Sequence, residues 1–142
     1  MIRTLFTLAA GIGVGVAGMT AAQHNEKNPA KTIAARDIVE KLDGKEAKVT
    51  FVEVTYEAGQ AGQPHRHPGP VFGFVLEGEF EWAIDDQPAK VFKAGETFYE
   101  PTGCLHRVTK SPAGAKGKTR VLAVILHPRD AKEVVIPVPM KE

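Results

Sequence analysis

The sequence predicts an all-β fold, a small antiparallel β-barrel, on three observations. Short runs rich in β-branched and aromatic residues recur through most of the chain. Turn residues separate these runs, and the 14 glycines and 10 prolines are spread among them instead of being gathered in one linker. Finally, 142 residues is the size of one ordinary domain, large enough to bury a core without disulfide staples.

Met1 to Ala22 has the three parts of a secretory signal peptide: Arg3 at the start, an apolar stretch from Leu5 to Val16, and the small residues Thr20-Ala21-Ala22. Cleavage after Ala22 is expected, which places the mature protein in the periplasm or outside the cell. Gly11, Gly13, Gly15 and Gly18 make the stretch too weakly apolar for a membrane span. Residues 23–31 are polar, broken by Pro29, and read as a flexible leader; His24 in it is read as a solvated side chain. The folded domain is expected over residues 32–142.

Within that domain Thr32 to Leu42 reads as either a short helix or an irregular strand, and Asp43-Gly44 as a turn. Val49 to Tyr56 is the first clear strand. Further strands are predicted at Val71 to Leu76, Glu79 to Ile84, Lys90 to Phe92, Thr97 to Glu100, Leu105 to Thr109, Arg120 to Leu126 and Val134 to Val138. Gly78, Asp85 to Pro88, Ala94-Gly95 and the loop from Ser111 to Lys118 separate them. Eight short strands joined in this way suit a closed barrel or a sandwich.

Charge narrows the partners. The formal net charge is +1, and removing residues 1–22 removes only Arg3, so the mature chain stands at 0. No block of Lys or Arg points to nucleic acid, and none points to a membrane once the signal is cleaved. The single cysteine, Cys104, has no partner for an internal disulfide and reads as a small packed side chain.

The densest chemistry is Pro64-His65-Arg66-His67-Pro68. In extended chain, residues i and i+2 face the same way, so His65 and His67 present two imidazoles side by side while Arg66 points elsewhere. Imidazole suits first-row divalent ions, and one more donor closes a facial cap. His106 is the natural third. His127, at the end of the Arg120 to Leu126 strand and just before Pro128, reads as a strand-end residue and not as a ligand.

Two spaced motifs can be laid on the chain in order: Gly59, five residues, His65-x-His67, then Gly78; and Gly95, five residues, Pro101-x-Gly103, two residues, His106. In both the chain resembles the cupins, over roughly Val49 to Leu126. The resemblance implies a jelly-roll type barrel with one divalent metal on His65, His67 and His106. Two positions depart from the pattern. Where cupins usually carry a metal-binding glutamate this chain has Val71, and where they usually carry an asparagine it has Lys110. Three neutral imidazoles leave a divalent ion its full charge, which favours a chelating anion such as an enolate.

The run from His65 to Leu76, with Phe98-Tyr99-Glu100-Pro101, is similar to three-histidine cupin dioxygenases that cleave β-diketones and hydroxylated acetophenones. That resemblance implies iron(II) as the favoured metal, with Zn, Mn, Ni or Cu also compatible with the donors, and a small chelating ketone, diketone or phenol as substrate. Strand alternation puts Phe98 and Glu100 on one face, and an inward Glu100 must ligate, pair or hold a proton. Glu100 is therefore the candidate catalytic acid/base, and Val71, Phe72, Phe74 and Trp82 are the candidate pocket walls. A homodimer is the family's expectation, with an unpaired edge strand as its physical motive. The other function class open to the chain is a non-catalytic periplasmic cupin that binds a metal or a small molecule.

Overall fold

The computed structural model describes residues 29–139. The signal peptide, the leader as far as residue 28, and His24 with it lie outside the described residues. Ten strands follow in order: β1 (Ala30–Leu42), β2 (Lys45–Tyr56), β3 (His65–Arg66), β4 (Val71–Glu77), β5 (Glu79–Ile84), β6 (Lys90–Lys93), β7 (Thr97–Glu100), β8 (His106–Lys110), β9 (Thr119–Pro128) and β10 (Ile136–Pro137). They form two antiparallel five-stranded sheets, ordered β1-β2-β9-β4-β7 and β10-β3-β8-β5-β6. The all-β class that the turn spacing predicts is what the chain adopts, in the jelly-roll form that the cupin resemblance implies.

The segment left between helix and strand is strand: β1 pairs along β2, from Ala30 opposite Val54 to Leu42 opposite Lys45, with irregularities between Thr32 and Ala34 and between Asp37 and Lys41. β1 begins at Ala30, so the last two residues assigned to the flexible leader are ordered in the sheet. Extended chain here lets Thr55 N–H donate to the Pro29 carbonyl at 2.9 Å, a pairing that a mobile leader would leave unmade. The Asp43-Gly44 turn takes positive φ at both residues, the two-residue hairpin geometry that favours glycine at its second position.

The core lies between the sheets. Val75, Phe80, Ile84, Phe98 and Val121 are buried around Tyr56 and Trp82, and Val52, Val71 and Ile125 form a second cluster. Each fully buried large side chain contributes about 1.5–3 kcal/mol over its exposed state. Gly73 admits the core's central contact: a Cβ there would meet the Phe98 ring at 2.0 Å. The bare backbone of β4 therefore leaves room for the far end of the Phe98 ring, whose centroid is 5.3 Å from that of Phe80. Gly78, at φ 76°, makes the tight turn between β4 and β5.

Candidate metal centre

Strand pairing assembles the histidines. His65 on β3 lies directly opposite His106, the first residue of β8, and His67 follows β3 by one residue. Arg66, between the two, turns away and donates to the Gly103 carbonyl at 2.6 Å. The ligand atoms of His65, His67 and His106 all lie within 4.8 Å of one another, with ring centroids 4.8 Å apart for His65–His67 and 5.0 Å for His65–His106. His67 and His106 are buried and His65 is half-buried.

Hydrogen bonds fix how two of these rings face. His65 Nδ1 donates to the Gln63 carbonyl at 2.8 Å, and His67 Nδ1 donates to the Val134 carbonyl at 2.6 Å. A carbonyl only accepts, so both Nδ1 atoms carry the proton and both neutral rings turn an Nε2 lone pair inward. Those two Nε2 atoms are 3.1 Å apart. Two lone pairs at that distance repel unless a cation lies between them. A proton would need an imidazolium, but burial pushes His67 down to about 4 and lowers His65 as well. The arrangement fits a divalent ion that takes one lone pair from each ring.

His106 supplies the third ring. Burial first, and then its two histidine neighbours, push it down to about 3, so it too is neutral near pH 7. Both its ring nitrogens are buried without a hydrogen-bond partner. A buried imidazole with two idle nitrogens is costly in a protein interior, and ligation answers that cost.

The alternation of β7 brings Glu100 into the same place, 1% exposed. Trp82 Nε1 donates to Glu100 Oε1 at 3.0 Å. The same oxygen stands 3.1 Å from His106 Nδ1, without the alignment of a hydrogen bond, while Oε2 is 3.6 Å from His67 Nε2 and has no partner. Burial raises this carboxyl to about 7, against the lowering effect of the Trp82 bond. Near neutrality it therefore exchanges a proton readily. Val71 and Glu100 are cross-strand partners on β4 and β7, so the carboxylate stands opposite the residue where cupins usually carry theirs.

The histidines and Glu100 form one wall of a cavity of about 360 Å³. Val71 lines it, as expected; Phe72, Phe74 and Trp82 do not. Val71, Gly73 and Val75 point inward on β4, which turns Phe72 and Phe74 to the outer face of the sheet, 53% and 39% exposed. Trp82 is buried behind Glu100, packed against Phe92 and Phe98. The walls come instead from Val54, Phe80, Phe98, Val121 and Ile125, with Tyr56 hydrogen-bonded to Thr109 at 2.8 Å. No pattern in the sequence marks Tyr56 or the Val134 carbonyl as parts of the site. His127 is buried between Thr50 Oγ1 and the Pro128 carbonyl, both at 2.8 Å, and takes no part.

Comparison with known proteins bears on this architecture. Among curated proteins none matches the chain. A double-stranded β-helix protein from Klebsiella pneumoniae superposes with a TM-score of 0.58 at 17% identity, covering 80% of this chain and 88% of that one. DMSP lyase DddQ from Ruegeria pomeroyi gives 0.52 at 21% identity, covering 77% of this chain and 53% of that one. An RmlC-like cupin with a double-stranded β-helix fold from Methanocaldococcus jannaschii gives 0.50 at 16% identity, covering 67% and 79%. At these identities the likeness is one of fold. The cupin domain model matches residues 52–125, more than half of the sequence and the stretch that holds all three histidines and Glu100, and the chain belongs to the cupin family.

Proposed function

We propose that this cupin is an exported mononuclear metal enzyme of the dioxygenase type, acting on a small chelating ketone, diketone or phenolic substrate. The observation that carries the proposal is the pair of inward Nε2 lone pairs 3.1 Å apart, opening beside a buried carboxyl onto an apolar cavity. His65, His67 and His106 would hold the metal, iron(II) being favoured. Bound there, iron would activate dioxygen beside a chelated substrate.

The chain's own residues prepare that substrate. Glu100 Oε1 is anchored by the Trp82 indole, which leaves Oε2 free to take the acidic proton of a diketone or phenol. A base poised near neutrality both accepts that proton and returns it to product. Proton removal turns the neutral ligand into a chelating anion, the form that an ion with three neutral ligands favours. Among the described residues, the side chains lining the cavity include no Lys or Arg, which supports a substrate held through the metal and apolar contact in preference to a salt bridge. Apolar walls also keep water from the reacting centre. Dioxygen supplies both oxygen atoms of such a cleavage, so no outside reductant is needed.

The test is oxygen uptake by protein of measured iron content across a panel of 1,3-diketones and hydroxylated acetophenones. One mole of dioxygen consumed per mole of substrate cleaved is expected for at least one compound. Binding of these compounds without uptake by any of them would establish a non-catalytic binding cupin instead.

A further inference from the structure

The cavity has a second polar place besides the metal centre. On β8 the two buried side chains are His106 and Thr109. Three residues of extended chain span at most about 10 Å, so Thr109 stands no farther than that along the wall from the histidines. The segment before β3 runs beside it: His65 lies opposite His106, Gly62 N–H donates to the Thr109 carbonyl at 2.8 Å, and Ala61 pairs with Lys110. Phe80 fills the wall between, its ring centroid 6.2 Å from that of His106 and 6.1 Å from that of Tyr56. His106, Phe80, Tyr56 and Thr109 thus line one cavity in sequence.

Tyr56 and Thr109 hold one proton more than the bond between them uses. Tyr56 Oη and Thr109 Oγ1 are 2.8 Å apart, and each hydroxyl carries a proton. Whichever of the two donates, the other proton is left over, and neither hydroxyl has a further partner among the described residues. Both side chains are 4% exposed. A buried donor left idle is costly, and an acceptor in the cavity removes that cost. The bare backbone of Gly62 passes against the pair: a Cβ there would come within 3.0 Å of both Tyr56 Oη and the Thr109 methyl. Glycine leaves the hydroxyls room. The pair also ties β2 of one sheet to β8 of the other. Such a tie accounts for one proton, and the second points to a ligand.

The chemistry of the walls restricts that ligand. Burial raises the Tyr56 phenol above its usual range, against the lowering effect of the Thr109 bond, so both hydroxyls are neutral near pH 7. With no Lys or Arg lining the cavity among the described residues, a charge at this end of a ligand would be buried unpaired. We infer that Tyr56 and Thr109 form a second subsite, which binds an uncharged oxygen acceptor, a carbonyl or an ether, at the far end of a ligand whose other end chelates the metal. This assignment rests on the metal-chelate reading of the proposed function and narrows its substrate to a ketone or diketone with a further neutral oxygen within about 10 Å of the chelating pair.

Calorimetric titration of the iron(II)-loaded protein under nitrogen, where no turnover competes, tests this with nonane-2,4-dione and 7-methoxyheptane-2,4-dione. The two share length and chelating head and differ by an ether oxygen in place of one methylene. The ether is expected to bind the wild type at least as tightly as the alkyl compound. In the double variant Tyr56→Phe/Thr109→Val its affinity should fall about tenfold relative to the alkyl compound, as for one hydrogen bond lost to a buried group. Removing both hydroxyls together leaves neither orphaned, so the variant should keep wild-type circular dichroism, melting temperature and iron content. An affinity ratio that the double variant leaves unchanged would overturn the subsite. So would a wild type that binds the ether on the order of tenfold more weakly than the alkyl compound, the result for an ether buried without a donor, and this needs no variant. In both cases metal-dependent binding of nonane-2,4-dione leaves the proposed function standing. If nonane-2,4-dione binds the metal-free protein as tightly as the loaded one, the metal-chelate reading falls and the subsite assignment with it.

Discussion

Replacing His106 with alanine is expected to empty the metal site while leaving the barrel folded. His106 closes the cap begun by His65 and His67, and without it an ion keeps two imidazoles. Disturbing an outer partner of a metal ligand already costs 10–100-fold in affinity, so removing the ligand itself should weaken binding by on the order of a hundredfold or more. Folding should survive because the ring has few polar contacts to lose: neither nitrogen has a well-aligned hydrogen-bond partner, and Nδ1 stands 3.1 Å from Glu100 Oε1. The melting temperature of the metal-free variant should then lie near that of the metal-free wild type. The rise that added metal gives the wild type should vanish, because stabilisation by a ligand requires its binding. Metal analysis after dialysis, with thermal melts in both states, checks this. Full occupancy in the variant would remove His106 from the ligand set.

The second large effect is expected at Glu100. Glu100→Gln keeps the shape of the side chain, and its amide oxygen can still accept from the Trp82 indole at the position of Oε1. The variant should fold and keep its metal. What it lacks is a group that exchanges a proton near pH 7, where burial holds the native carboxyl. A positioned acid/base contributes typically 10²–10⁴-fold, so turnover should fall at least about a hundredfold with iron content unchanged. The rate's dependence on pH near neutrality should flatten in the variant. Loss of iron would make Glu100 a ligand supplied from β7, and unchanged turnover would leave it no part in the chemistry.

How much of this was legible in the sequence depended on whether local pattern carried the information. The β2 to β9 strands are bounded by turn residues, and their limits moved by a few residues at most; β3, only two residues long, was not foreseen as a strand, although its extended form was. Alternation on β7 put Phe98 and Glu100 on one face but left open which face was the inner one; in the structure these two are the residues of the strand that become buried. Alternation failed on β4 because every residue from Val71 to Leu76 is apolar or glycine, so either face could have been the inner one. The usable sign was Gly73, a gap that suits the packed side, where Phe98 fills it. Phe72 and Phe74, expected as pocket walls, are turned to the outer face by this register. The Val134 carbonyl that orients His67 was beyond reach, because a backbone acceptor 67 residues away leaves no mark on composition or spacing.

The most direct test of the three-histidine centre is X-ray absorption at the metal edge of the loaded wild-type protein, together with its metal-to-protein ratio. The expected result is about one ion per chain with a first shell containing three imidazole nitrogens near about 2.1 Å, a usual metal–imidazole distance. A ratio near zero after loading, or a first shell of oxygen atoms alone, would contradict it.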